Sequence, residues 1–89
     1  MSGFNGYFQY QAAEIAELPR EEQPARWEQA ALVAPPELAA FAYWRAAEGA
    51  LAAHDTTSAR HYAEQGINAI PVGIWQIWHR RLQEIRDEI

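Results

Sequence analysis

The chain has no cysteine and no lysine, a single methionine, and only five glycines and five prolines among 89 residues. Without cysteine, neither a disulfide nor a thiolate metal site can staple the fold, a composition that fits a reducing compartment. Without lysine, all seven basic residues are arginines, and against twelve acids they leave a net charge of −5. No basic block offsets that acidity, so phosphate-backbone recognition is disfavoured and no nucleic acid is expected as a partner. No apolar run reaches the roughly 18–20 residues that a membrane span requires. The opening MSGFNGYFQY lacks the basic start and apolar stretch of a signal peptide. The expectation is therefore no membrane and a cytoplasmic location. β-branched residues are sparse, and no stretch shows the two-residue alternation of a strand.

Alanine fills the space these absences leave, and it favours helix above every other residue. An alanine-rich chain whose only basic residue is arginine also suits a GC-rich bacterial genome. Turn signals divide the sequence. Tyr7 to Leu18 reads as a first helix, with Phe8, Ala12, Ile15 and Leu18 on one stripe. Pro19 ends it, and Arg20–Gln23 forms a charged loop. Pro24 suits the first turn of a second helix, which carries Trp27, Ala31 and Leu32 and stops before Pro35-Pro36. A third helix spans about Glu37 to His54. Asp55, Thr56 and Thr57 offer capping oxygens to a fourth, about Thr57 to Ala69. Pro71 and Gly73 break the chain before a fifth helix from Ile74 onward. Short connections make neighbours antiparallel, so the expected fold is all-α, a stack of antiparallel αα-hairpins with about five helices in one domain over residues 1–89.

A shift of 35 residues superimposes the two halves without gaps. Phe8, Tyr43 and Trp78 share a column, followed by Ala12, Ala47 and Leu82, then Ile15, Ala50 and Ile85. In the second helix of each unit Trp27 matches Tyr62, Ala31 matches Gly66, Leu32 matches Ile67, and Pro36 matches Pro71. Units of about 5–36 and 40–71 with a terminal helix 74–89 follow from this register. Small residues at Ala12, Ala31, Ala47 and Gly66 let helices approach, and the aromatic column fills the space beside them. Burying one such aromatic is worth roughly 1.5–3 kcal/mol, so Tyr43→Ala or Trp78→Ala should come close to unfolding so small a domain.

The stretch YWRAAEGALAAHDTTSARHYAEQGINAIP resembles the tetratricopeptide repeat (TPR) family, whose helix–turn–helix unit runs 34 residues. Tyr43 stands at the bulky position, Ala46-Ala47 and Ala59 at small positions, Gly66-Ile67 at the small–large pair and Pro71 at the terminating proline. The departures are Ala50 for the usual tyrosine, Ala47 for the usual glycine, an aromatic Tyr62 one residue early, and Pro24 for a small residue in the first unit. The resemblance implies a module that binds another protein or peptide in a groove lined by the first helix of each unit. On this chain that face carries Gln9, Tyr10, Ala13, Phe41, Trp44, Arg45, Glu48, Leu51, Gln76, His79, Arg80, Gln83 and Arg86. The lysine and asparagine of a groove that clamps a C-terminal carboxylate are replaced by Gln9, Ala13 and Arg45, so that mode is not expected.

Aromatic plus arginine is hot-spot chemistry, which selects Trp44, Arg45, Glu48, His79, Arg80 and Arg86 as partner-binding candidates. Phe41, Trp44 and Leu51 have a rival use, packing beneath a terminal helix. Trp78 belongs to the core column. Trp75, by contrast, aligns with Asn5 and Ala40, so the repeat does not account for it, and it joins Trp44 as a candidate contact. The last helix sets Trp75, Trp78, Leu82, Ile85 and Ile89 at spacings of three and four, an apolar stripe with no following helix to cover it. Either the helix packs inward on more than one side or a second chain covers it; a second chain is the expectation, as a homodimer through the C-terminal helix or as a foreign protein.

Catalytic signals are weak. His54, His61, Asp55 and Glu64 match no metal-ligand spacing, Ser58 suits a helix first turn, and no glycine loop cradles phosphate. The chain reads as a non-enzyme with no cofactor and no metal, a small adaptor, chaperone or assembly subunit. The alternative is a compact acidic inhibitor or immunity-type protein that blocks a basic target with Glu14, Glu17, Glu21, Glu22 and Glu28.

Overall fold

The computed structural model describes residues 2–69 and 76–88. Among the described residues five α-helices follow one another: α1 (Ser2–Ala16), α2 (Gln23–Leu32), α3 (Pro36–Ala52), α4 (Thr56–Ala69) and α5 (Gln76–Glu88). A single 3-10 turn, Arg20–Glu22, occupies the expected charged loop. Two starts lie earlier than the sequence suggests. α1 begins at Ser2 rather than Tyr7, and α3 at Pro36, one residue before Glu37. Among the described residues there is no strand and no helix long and apolar enough to cross a membrane.

The connections show why the helices stop where they do. α1 tightens at its end, where the amides of Glu17 and Leu18 donate to the carbonyls of Glu14 and Ile15 at 3.2 and 3.0 Å. Pro19, at φ −55° and ψ 146°, then turns the chain. The Gln23 side-chain amide reaches back from the start of α2 and donates to the Leu18 carbonyl at 2.9 Å, satisfying a backbone acceptor beyond the helix end. Pro24 and Pro36 sit in the first turns of α2 and α3, where no amide is needed.

Between α3 and α4 the chain turns within three residues. His54 adopts a left-handed φ of 63°, the only positive φ outside glycine among the described residues. Its amide donates to the Leu51 carbonyl at 3.0 Å, and that of Asp55 to the Ala50 carbonyl at 2.9 Å. This paired closure satisfies the last carbonyls of α3 and normally uses glycine at the left-handed position. Asp55 then caps α4, its Oδ1 accepting from the Ser58 amide at 3.2 Å. Of the three capping oxygens the sequence offers, the aspartate is the one that serves.

Each helix packs on its successor, and α3 also meets α5 directly. The rings of Phe8 and Trp78 both lie against Phe41, tying α1, α3 and α5 along one side. Glu28 and His61 tie α2 to α4 on the other, 3.8 Å apart. The result is a slab of 36 × 35 × 16 Å, thin enough for two layers of helices at ordinary packing distance.

The interior is built largely from small side chains. The buried residues of α4 are Ala59, Ala63 and Gly66. A Cβ on Gly66 would lie 2.8 Å from Leu82 and 2.9 Å from the Tyr43 Cβ, so glycine is what lets α4 press on both α3 and α5. Gly49 of α3 likewise lies under Pro24 of α2, 3.2 Å from where its Cβ would be. Ile15, Ala50 and Ile85, one column of the 35-residue register, are all buried, as are Phe8, Tyr43, Ala47 and Leu82.

Leu32 departs from the expected stripe. It is 69% exposed, whereas its register mate Ile67 packs against the core. α2 buries Trp27, Ala30 and Ala31 instead. One further residue rotates the side chain by about 100°, which carries Leu32 off that face.

Candidate partner-binding face

Six aromatic contacts run across one side of the slab. Trp27 of α2 and Phe8 of α1 pack on each other at 6.2 Å, and both meet Phe41 of α3, at 5.8 and 6.1 Å. Phe41 continues the row to Trp44 at 6.0 Å and to Trp78 of α5 at 5.7 Å, and the two tryptophans close it at 5.6 Å. Most of these pairs are tilted or edge-on, the arrangements that ring quadrupoles favour. Trp27 and Phe8 are buried, while Phe41, Trp44 and Trp78 are half-buried. The row therefore begins in the core and ends at solvent.

Arginines cover its two ends. The Arg45 guanidinium lies 5.7 Å from the Trp27 ring centre, and that of Arg81 lies 5.3 and 5.1 Å from those of Trp44 and Trp78. Arg45 also pairs with Glu48 one turn along α3, at 3.3 Å with both side chains well exposed. Such a pair adds little stability and mainly holds the guanidinium in place.

Two hollows open beside the row and share Glu48 and Leu51. One, of about 530 Å³, is edged by Arg20, Gln23, Trp27 and Arg45. The other, of about 310 Å³, lies between α3 and α5 and is edged by Trp44, Arg81, Glu84, Ile85 and Glu88.

The structure brings Trp44, Arg45 and Glu48 together on this face. It does not place the α5 candidates there in the expected way. The α5 residues beside Trp44 are Arg81, Glu84, Ile85 and Glu88, at spacings of three and four. Arg80 is exposed away from that edge, Arg86 pairs with the adjacent Asp87 at 3.3 Å, and His79 is half-buried. Arg81 is thus the residue that sequence reasoning missed. Arg80 and Arg81 are adjacent in the chain, and only the rotation of α5 about its axis decides between them. Trp75 lies outside the described residues.

The described part of the apolar stripe of α5 turns largely inward. Leu82 is fully buried and Ile85 nearly so, packed into the same core cluster as Tyr43 and Ala47. Gly66 makes room for Leu82, so this part of the stripe is covered within the chain. Trp78 of the same stripe is half-buried, Ile77 is 57% exposed, and Trp75 and Ile89 lie outside the described residues.

Across the slab the chemistry is different. Burial, and then the Glu28 carboxylate, push the Tyr43 phenol above its ordinary 10.0. Tyr62 is raised in the same way, first by burial and then by Glu28 and Asp55. His61 faces Glu28, and His54 serves the α3–α4 turn. Among the described residues no three histidine or acidic side chains converge as a metal would require.

A third hollow, about 600 Å³, separates α1 from α2, with Glu14, Glu17 and Arg26 around an apolar floor of Ile15, Leu18 and Val33. No protein-family model, curated protein or solved structure matches this chain.

Proposed function

We propose that this chain is a small non-catalytic protein-interaction module, TPR-like in plan, which holds a helix or peptide of a partner across the face of Trp44, Arg45 and Arg81. It would serve as an adaptor, chaperone or assembly subunit. One observation carries the reading: an aromatic row that leaves the core and ends half-exposed under arginines, beside two adjoining hollows. Rigid aromatics with arginine are the groups on which binding energy concentrates. The TPR-like plan is supported by burial recurring in the 35-residue register, at Phe8 and Tyr43 and at Ile15, Ala50 and Ile85.

The test compares capture of partner proteins from a native lysate by the wild-type chain and by Trp44→Ala with Arg81→Glu, after circular dichroism has shown the variant helical. Loss of a captured band in the variant is the expected result, and equal capture by both removes this face from consideration.

A second reading has its own observation. Glu14 and Glu17 edge the α1–α2 hollow, and Glu21 and Glu22 are exposed in the turn that follows α1. An acidic inhibitor would use that side against a basic target. Its complex would weaken steeply with salt, whereas binding anchored on tryptophan would do so much less.

A further inference from the structure

We propose that the partner segment carries charge split end to end: acidic residues where it crosses Arg20 and Arg45, basic residues where it reaches Glu84 and Glu88, and apolar residues between. This rests on the groove reading above and specifies its occupant.

The two hollows adjoin at Glu48 and Leu51, so the path of a segment laid across that edge meets both. Charges along that path are segregated. Arg20 and Arg45 edge the first hollow, and Glu84 and Glu88 the second. Two opposing charges also line the path but are outnumbered at each end: Arg20 and Arg45 exceed Glu48 in the first hollow, and Glu84 and Glu88 exceed Arg81 in the second. Glu48, at the junction, is paired with Arg45 at 3.3 Å. Arg81 lies over both indoles, at the tryptophan end of the second hollow. Glu84 and Glu88 follow one and two turns further along α5. Glu88 is the last residue of that helix, where carbonyls without intrahelical partners add partial negative charge.

Between the charged ends the path is apolar, with Leu51 at its middle and the half-buried Trp44 beside it. Both hollows, of about 530 and 310 Å³, are open clefts, each able to take large side chains of a segment lying across it. A uniformly basic segment meets Arg20 and Arg45 as like charges, and a uniformly acidic one meets Glu84 and Glu88. Only a split segment is complementary at both ends.

Three capped peptides of about 14 residues, long enough to span roughly 21 Å as a helix, provide the probes. All share one leucine stripe. The polar positions are half glutamate and half lysine in blocks in the first, all lysine in the second and all glutamate in the third. Calorimetric titration into the 89-residue chain at about 0.15 M salt is expected to show the split peptide binding at least about tenfold tighter than either uniform one. Glu84→Lys with Glu88→Lys should transfer that preference to the all-glutamate peptide, while Trp44→Ala should weaken every peptide.

If the all-lysine peptide binds tightest, the acidity of the chain alone explains the attraction. The split-charge inference then fails, and the groove survives if Trp44→Ala still weakens binding. If no peptide binds, groove and inference fall together. A dimer in solution that Trp44→Ala dissociates assigns the face to a second copy and also overturns the inference.

Discussion

Two surfaces of α3 are packed by opposite means. Toward α4 the helices meet over Ala59, Ala63 and Gly66, with Tyr43 lying where a Gly66 Cβ would have to go. Toward α1 and α5 they meet through Phe41 and Trp44, whose rings hold neighbours at centroid distances of 5.6 to 6.1 Å. The small-residue seam brings backbones close. The aromatic row holds its helices apart and ends in half-exposed indoles. The seam is buried throughout, whereas the row runs from buried Phe8 and Trp27 out to the half-exposed indoles of the proposed binding face.

Leu82→Ala should break that contrast most severely. The side chain is fully buried where α5 meets the seam, and its loss should cost about 3–4 kcal/mol in urea-monitored unfolding. Gly66→Ala attacks the same seam by overfilling it. The new methyl would meet Leu82 and the Tyr43 Cβ inside 3 Å, so a loss of about 2 kcal/mol is expected despite the better helix propensity of alanine. Trp44→Ala, in the row, should cost only about 1 kcal/mol of stability because the ring is already half in water. A loss for Trp44→Ala equal to that for Leu82→Ala would erase the distinction between seam and row.

The smallest effect is alkaline. The folded chain holds the Tyr43 and Tyr62 phenols above 10.0, so their contribution is fully present below pH 10 and is lost as pH rises through the folded values. Thermal unfolding scanned from pH 8 upward should show stability falling above about pH 10. Tyr43→Phe with Tyr62→Phe should flatten that fall, and an unchanged slope would place its origin elsewhere.

Much of the scaffold can be read from the sequence because its punctuation is local. Pro19, Pro24, Pro36 and Asp55 act on the backbone beside them, and each does in the structure what its chemistry predicts. Burial in the columns of Ile15 and Phe8 is legible for a related reason, since a fixed register carries a face from one unit to the next. The candidate site is legible only in part. Trp44, Arg45 and Glu48 lie on a helix whose inward face is marked by many alanines. α5 has fewer such markers, so the sequence does not say which of Arg80 and Arg81, about 100° apart around the helix, faces Trp44. The link from Trp27 through Phe41 to Trp78 joins residues from three helices, and no spacing along the chain encodes it.

The slab also sets an order of opening. α3 is the one described helix that touches all four others, through its packing on α2, α4 and α5 and through Phe41 on Phe8. α1 and α5 lie at the edges of a body only 16 Å thick. Edge helices can detach while the rest persists, so their amides should exchange with deuterium through local fluctuations. The central amides of α3, around Tyr43 to Ala47, should exchange only when the whole chain unfolds. A partner seated across Trp44 and Arg81 would bridge α3 to α5, and should slow exchange most in the edge helix it clamps.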